Sequence, residues 1–195
     1  MLPIEILENG VVRLTPLQSG DWNKLLKYSR NKNLWTGFPW DLWEDSLFEK
    51  WMEDRVMMSQ EGKWYPFLVN YKKINEPIGL SCYLNVDEPN LVLEIGGTWY
   101  GAPFHGTEVN PNCKLLLMTY AFERLGYERV EYKTDVLNTR SRRAIEKLGA
   151  KLDGIMRSNR IVQNGRRRDT VYYSILKDEW PDVKQGLKER IANYS

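Results

Sequence analysis

Residues 91–126 read LVLEIGGTWYGAPFHGTEVNPNCKLLLMTYAFERLG, and three backbone habits follow one another within them. Residues 91–99 read as a strand that contains the pair Gly96-Gly97. Glycine weakens a strand interior, so the pair predicts a bulge or the close approach of another backbone. Residues 100–110 form an irregular, glycine-containing loop. From Pro111 to Leu125, the side chains Leu115, Leu116, Met118, Phe122 and Leu125 recur at helical spacing on one broad face. Asn110 is placed to cap that helix, Pro111 to open it, and Gly126 to take the left-handed position after it. A strand, a glycine-containing loop and a helix N-terminus make a ready anion site, because free N–H groups and the positive end of the helix converge there. A plain strand-to-helix connection is the competing reading.

Upstream, residues 64–73 and 78–86 read as strands around a polar turn, and with 91–99 they predict an antiparallel meander. Residues 11–15 give a first strand. Residues 16–30 suggest a helix capped near Ser19. Residues 31–45 are irregular and aromatic, and a helix capped by Asp45 or Ser46 runs to about residue 60. Downstream come a strand at 129–134 and a helix at 139–148, with Asn138 as its cap and Gly149 after its end. Strands at 152–162 and 167–176 flank the hairpin signal Asn164-Gly165. The order implies an α/β (α+β) fold: a central mixed, mostly antiparallel sheet of about seven strands with helices on both faces. One domain is expected over residues 1–180, followed by a charged tail at 181–195.

At 195 residues, 42% hydrophobic and 28% charged, the composition is that of a globular protein. No apolar run approaches the roughly 18 residues of a membrane span. The acidic first residues lack the apolar core of a signal peptide, so Cys82 and Cys113, the only cysteines, are expected to be reduced, buried and cytoplasmic. The single histidine, His105, makes a multi-histidine metal site impossible, and no metal is expected. No Gly-x-Ser-x-Gly elbow is present, which disfavours a serine hydrolase. The net charge of +2 hides a split: residues 1–100 carry 10 basic and 14 acidic side chains, residues 101–195 carry 18 and 12. The basic second half asks for an anionic ligand.

The stretch Asp135-Val-Leu-Asn-Thr-Arg-Ser-Arg-Arg-Ala-Ile-Glu-Lys-Leu-Gly149 carries the pattern Asn–x–x–Ser–x–x–Ala–x–x–Lys–x–Gly into a helix. After a strand–loop–helix anion site, this resembles the GCN5-related N-acetyltransferase (GNAT) superfamily. Residues 93–99 and 105–110 narrow the likeness to the RimJ/RimL-like ribosomal-protein N-acetyltransferase branch. The resemblance covers about residues 10–180.

It implies an acetyl-coenzyme A (acetyl-CoA) cosubstrate, a primary amine acceptor and direct transfer between them. The loop His105, Gly106, Thr107, Glu108, Val109 and Asn110 would hold the pyrophosphate through its amides. The pantetheine would lie like an added strand between residues 91–99, ending at Trp99, and residues 129–134. Asn138 would reach coenzyme A, Ser141 would face the thioester, and Arg143 or its neighbours Arg140 and Arg142 could meet phosphate. Two residues depart from the family pattern. Glu108 stands where a glycine is usual, so its charge must turn away from the phosphates or pair. Ile145 replaces a tyrosine that protonates the leaving thiolate, which leaves that step to Ser141 or a water.

An amine must lose its proton before attacking a thioester. Glu94, directly before the glycine pair, is the candidate base, either directly or through a water, and desolvation would make it a better one. The bulge would free an N–H for the acetyl oxygen. The competing reading is that Glu94 pairs with an arginine and only supports the sheet. His105 reads as a loop or stacking residue and Cys113 as core. Trp35, Phe38 and Trp40 could wall an acceptor cleft and offer cation–π contact to an ammonium, or simply cover the sheet. Two alternatives stand beside the enzyme: a degenerate GNAT-fold coenzyme A sensor or scaffold, suggested by Glu108, and a basic RNA- or ribosome-binding module. The latter rests on ten basic side chains from Arg140 to Arg168 against Glu146 and Asp153, with no nucleic-acid motif beside them. The acceptor could be a protein N-terminal α-amine or a small-molecule amine, and the tail with exposed aromatics would allow a homodimer.

Overall fold

The computed structural model describes residues 1–162 and 165–194. Eight strands form one sheet: β1 (Leu7–Glu8), β2 (Val12–Pro16), β3 (Trp64–Tyr71), β4 (Glu76–Asp87), β5 (Val92–Tyr100), β6 (Arg129–Asp135), β7 (Lys151–Ile161) and β8 (Arg167–Leu176). Their order is β1-β2-β3-β4-β5-β6-β8-β7. Every neighbouring pair is antiparallel except β5–β6. The class expected from the sequence holds, and the strand beyond the expected seven is the two-residue β1. The β7–β8 hairpin is present, while Asn164 of its expected turn lies outside the described residues.

Side-chain alternation divides the sheet into two faces. Phe67 and Val69 of β3, Tyr83 of β4, and Leu93 and Ile95 of β5 pack on one face. That face is covered by α4 (Val109–Thr119) and α6 (Trp180–Ala192). Leu68, Leu80, Cys82, Leu84 and Trp99 turn to the other face, under α2 (Lys32–Trp35) and α3 (Asp45–Gln60). Residues of the charged C-terminal stretch contribute Leu187 to the first core, and Trp180 stacks on Phe122 at 5.3 Å. The helix expected over 16–30 is shorter. Gly20 turns the chain at φ 82°, a 3-10 turn spans Asp21–Leu25, and α1 covers only Leu26–Ser29.

The central helix α4 begins two residues earlier than expected. Glu108, not Asn110, holds the capping position, and its side chain does not bond the helix amides. Pro111 is tolerated in the third helical position because first-turn N–H groups have no helical partner to lose. A π-turn, Tyr120–Arg124, ends the helix. The next helix, α5 (Thr139–Glu146), starts as read: Asn138 Oδ1 accepts from the Ser141 amide at 3.0 Å.

Candidate active site

The parallel strands β5 and β6 pair only at Val92–Arg129, Leu93–Val130 and Glu94–Glu131. Beyond Glu94 they diverge, β5 running to Tyr100 and β6 to Asp135. A cleft of about 310 Å³ opens at this divergence. Its floor carries the expected bulge. Leu80 faces Trp99 and Cys82 faces Gly96, so β5 holds one residue more than β4 across this span. Gly97 takes φ +59°, and a Cβ there would lie 3.0 Å from Trp64 and 3.2 Å from the Cys82 sulfur. Only glycine satisfies both limits. Gly97→Val is expected to cost about 1–3 kcal/mol from backbone strain alone, read as a lower urea midpoint at unchanged slope; an unchanged midpoint would remove the requirement for glycine.

Glu94 faces the cleft and is 6% exposed. Its Oε2 accepts from Asn85 Nδ2 at 2.7 Å and pairs with Lys133 Nζ at 3.0 Å. Lys133 also pairs with Glu131 at 2.9 Å, and Arg129 joins Glu131 to Asp153. The partner of Glu94 is thus a lysine rather than an arginine. Burial works to lower the Lys133 pKa, but Glu94 and Glu131 hold it above its ordinary value.

Lys114 of α4 reaches the same cleft from below. It is buried, and its Nζ donates to Ser81 Oγ at 3.0 Å and Thr98 Oγ1 at 2.6 Å, with no carboxylate partner among the described residues. Burial pushes its pKa down to about 8. Two polar atoms of residues that line the cleft, Tyr132 Oη and Trp99 Nε1, are sealed from water without partners. Buried orphan donors are rare and costly, and here they fit a ligand that bears hydrogen-bonding groups. Both cysteines are buried, which raises the Cys82 pKa to about 12 and the Cys113 pKa above its ordinary value.

The loop before α4 places His105, Gly106 and Asn110 on the cleft. His105 Nε2 lies 3.0 Å from the Tyr100 carbonyl and its Nδ1 3.2 Å from Arg140. Burial and Arg140 lower its pKa, so the neutral ring dominates. Gly106 sits at φ +77° with open space around it. Thr107 donates to the Phe104 carbonyl and accepts from the Val109 amide; Val109 itself is core, and neither lines the cleft. Glu108 accepts from the Tyr71 hydroxyl, which holds its own pKa low and raises that of Tyr71 to about 12. Its charge therefore points away from the cleft. On α5, Ser141, Arg140 and Asn138 line the cleft, while Arg143 is exposed and off it. Asn138 is already engaged, donating to the Gly37 carbonyl at 3.2 Å while capping α5.

Phe38 and Trp40 form the opposite wall with Trp64. Trp35 lies beneath them, buried against Phe38 and Trp99 and not on the cleft. Two further cations, Arg160 and Arg168, line the cleft from the β7–β8 hairpin. Sequence reasoning missed Lys114, Lys133 and Tyr132, and placed Arg160 and Arg168 only in the basic patch from Arg140 to Arg168. Alternation along β8 gave no signal for Arg168: the apolar Val171, Tyr173 and Ile175 share a face with Arg167, and Arg168 falls on the other face with Thr170, Tyr172 and Ser174.

This chain belongs to the acetyltransferase (GNAT) domain family, whose model matches residues 12–151. Among relatives, it is 38% identical over 106 residues to YdaF of Bacillus subtilis (strain 168), named as a proposed ribosomal N-acetyltransferase. That match spans 54% of this chain and 57% of YdaF, just over half of each. A GCN5-related N-acetyltransferase from Brucella melitensis has a TM-score of 0.89 at 30% identity, covering 96% of this chain and 85% of that one. RimL, a ribosomal-protein α-N-acetyltransferase solved with coenzyme A, shares the fold with a TM-score of 0.77 at 21% identity, covering 90% of this chain and 99% of that one. The RimJ/RimL-like resemblance read from the sequence thus has relatives of that kind beside it.

Proposed function

We propose that this chain is an N-acetyltransferase that moves an acetyl group from acetyl-CoA to a primary amine by direct attack. The observation that carries the reading is the wedge between β5 and β6, with the Gly97 bulge on one side and unpartnered polar atoms along it. The thioester supplies an acetyl carbon activated for attack by an amine. Main-chain groups of residues 95–99 are set to receive the pantetheine, and the loop of residues 105–110 with the α4 N-terminus is set to receive the pyrophosphate through amides other than those of His105 and Val109, which are bonded within the loop. Arg140 adds positive charge there, in place of Arg143, and Glu108 is turned aside. Glu94 takes the amine proton, directly or through a water, the new C–N bond forms, and the C–S bond breaks. Ser141 gives its hydroxyl proton to the leaving sulfur and takes one back from solvent, and Lys114 adds a positive potential that favours the charge developing nearby. Phe38 and Trp40 wall the acceptor side. A protein N-terminal amine is the acceptor suggested by the ribosomal-protein relatives.

Thiol release from acetyl-CoA, followed with a panel of peptide and small-molecule amines, tests this. Amine-dependent release with an N-acetylated product is expected. Tight binding of acetyl-CoA without release from any amine would instead favour the sensor reading.

A further inference from the structure

One buried charge that lines the cleft has no hydrogen-bond or ion-pair partner among the described residues. Alternation along β8 sends Val171 and Tyr173 into the core beneath α4, while Arg168 faces the opposite side of the sheet. Arg168 is 6% exposed and lines the cleft. Among the described residues its side chain makes no hydrogen bond and no ion pair, and Nε is sealed from water without a partner. Arg160 stands directly across the ladder from it and lines the same cleft. Like charges opposite one another in a sheet repel. A buried guanidinium without a countercharge is also among the costliest groups a fold can hold. Asp135 and Glu94 act on Arg168 only at a distance, because Asp135 is bonded to Arg166 and Glu94 to Lys133. Among the described residues, therefore, no anion pairs with either arginine.

We propose that the acceptor is an amine that also carries a carboxylate, which Arg168 and Arg160 receive while Glu94 faces the amino group. This rests on the acetyl-transfer reading above. The planar guanidinium fork matches a carboxylate through two parallel hydrogen bonds, and the burial of Arg168 strengthens them. The same charges reject polyamines and aminoglycosides, whose additional ammonium groups would meet two arginines. Two sources share the required chemistry: a free amino acid, and a peptide N-terminus followed by an acidic side chain.

The test follows thiol release by the full chain at saturating acetyl-CoA. Serine is compared with serine amide, a peptide beginning Ser-Glu with one beginning Ser-Gln, and spermidine is added as a polyamine. In at least one pair the carboxylate-bearing amine is expected to have a kcat/KM about tenfold higher, through KM. A preference for serine assigns the free amino acid; a preference for the Ser-Glu peptide assigns the acidic N-terminus. Arg168→Met is expected to bring the ratio toward one, and Arg168→Lys to restore part of it. Equal or better use of the neutral partners or of spermidine overturns the proposal. So does an acetyl-CoA Kd that rises about tenfold in Arg168→Met, since the arginine would then serve a cosubstrate phosphate. In the unliganded protein Arg168→Met is expected to raise Tm by about 2–4 °C, because it removes an uncompensated buried charge; a fall would make Arg168 a structural residue and overturn the assignment. If no amine releases thiol but serine or the Ser-Glu peptide binds the coenzyme A complex in an Arg168-dependent way by calorimetry, acetyl transfer fails and the carboxylate site stands. If neither occurs, both fail.

Discussion

Glu94→Gln lowers turnover about 10²–10⁴-fold, the range that one positioned proton acceptor contributes, and leaves acetyl-CoA affinity nearly unchanged. The substitution preserves shape and can keep a hydrogen bond with Asn85 Nδ2. It removes one of the two carboxylates on Lys133, but Glu131 remains at 2.9 Å, so the lysine is not left as an orphaned charge. A loss of turnover with an intact fold therefore reports on proton transfer. The measurement is steady-state thiol release at saturating amine from pH 6 to 9, beside a calorimetric Kd for acetyl-CoA. A variant that turns over as fast as the parent at neutral pH would remove Glu94 from the chemistry and leave it as a sheet-supporting ion pair with Lys133.

Lys114→Met changes how stability depends on pH. Burial depresses the lysine pKa from 10.5 in the unfolded chain to about 8 in the fold. Below pH 8 both states hold the proton, and the fold bears the full cost of the buried charge. Between pH 8 and 10.5 the folded state releases the proton before the unfolded state does, so the unfolded state binds more protons and stability rises with pH. The gap corresponds to roughly 3 kcal/mol at about 1.4 kcal/mol per pKa unit. The variant lacks this rise and is more stable than the parent at pH 7. Its loss leaves no orphaned hydroxyls, because Ser81 Oγ and Thr98 Oγ1 lie 2.7 Å apart and bond one another. Urea unfolding of both proteins at pH 7, 8.5 and 10.5 checks this. Parallel profiles would mean that Lys114 is neutral or solvated in the folded protein.

Features of the site set by local backbone chemistry were legible before any coordinates. The glycine pair in a strand announced the bulge at Gly97, and Asn138 ahead of an apolar-poor helix announced the cap on α5. Hydrophobic alternation gave the meander and hence most of the sheet. The start of α4 was misplaced because proline suits any position of the first turn, so Asn110-Pro111 did not determine the boundary. Lys114 was hidden for a different reason. A lysine in an amphipathic helix reads as solvent-facing, and its burial depends on Ser81 and Thr98, which join it only through the register of β4 and β5. Arg168 stood in a run of three arginines that read as part of a basic RNA-binding patch. Glu108 was rightly marked as discordant, but its resolution needed Tyr71, 37 residues away in sequence.

The central claim is that the wedge between β5 and β6 receives acetyl-CoA. A calorimetric titration of acetyl-CoA into the full chain, repeated with Ala144→Trp, tests it most directly, because Ala144 lines the wedge and an indole there fills it. One acetyl-CoA per chain, with binding abolished by Ala144→Trp in a protein that still melts cooperatively, is the predicted result. No binding to the parent chain, or undiminished binding to the variant, would contradict it.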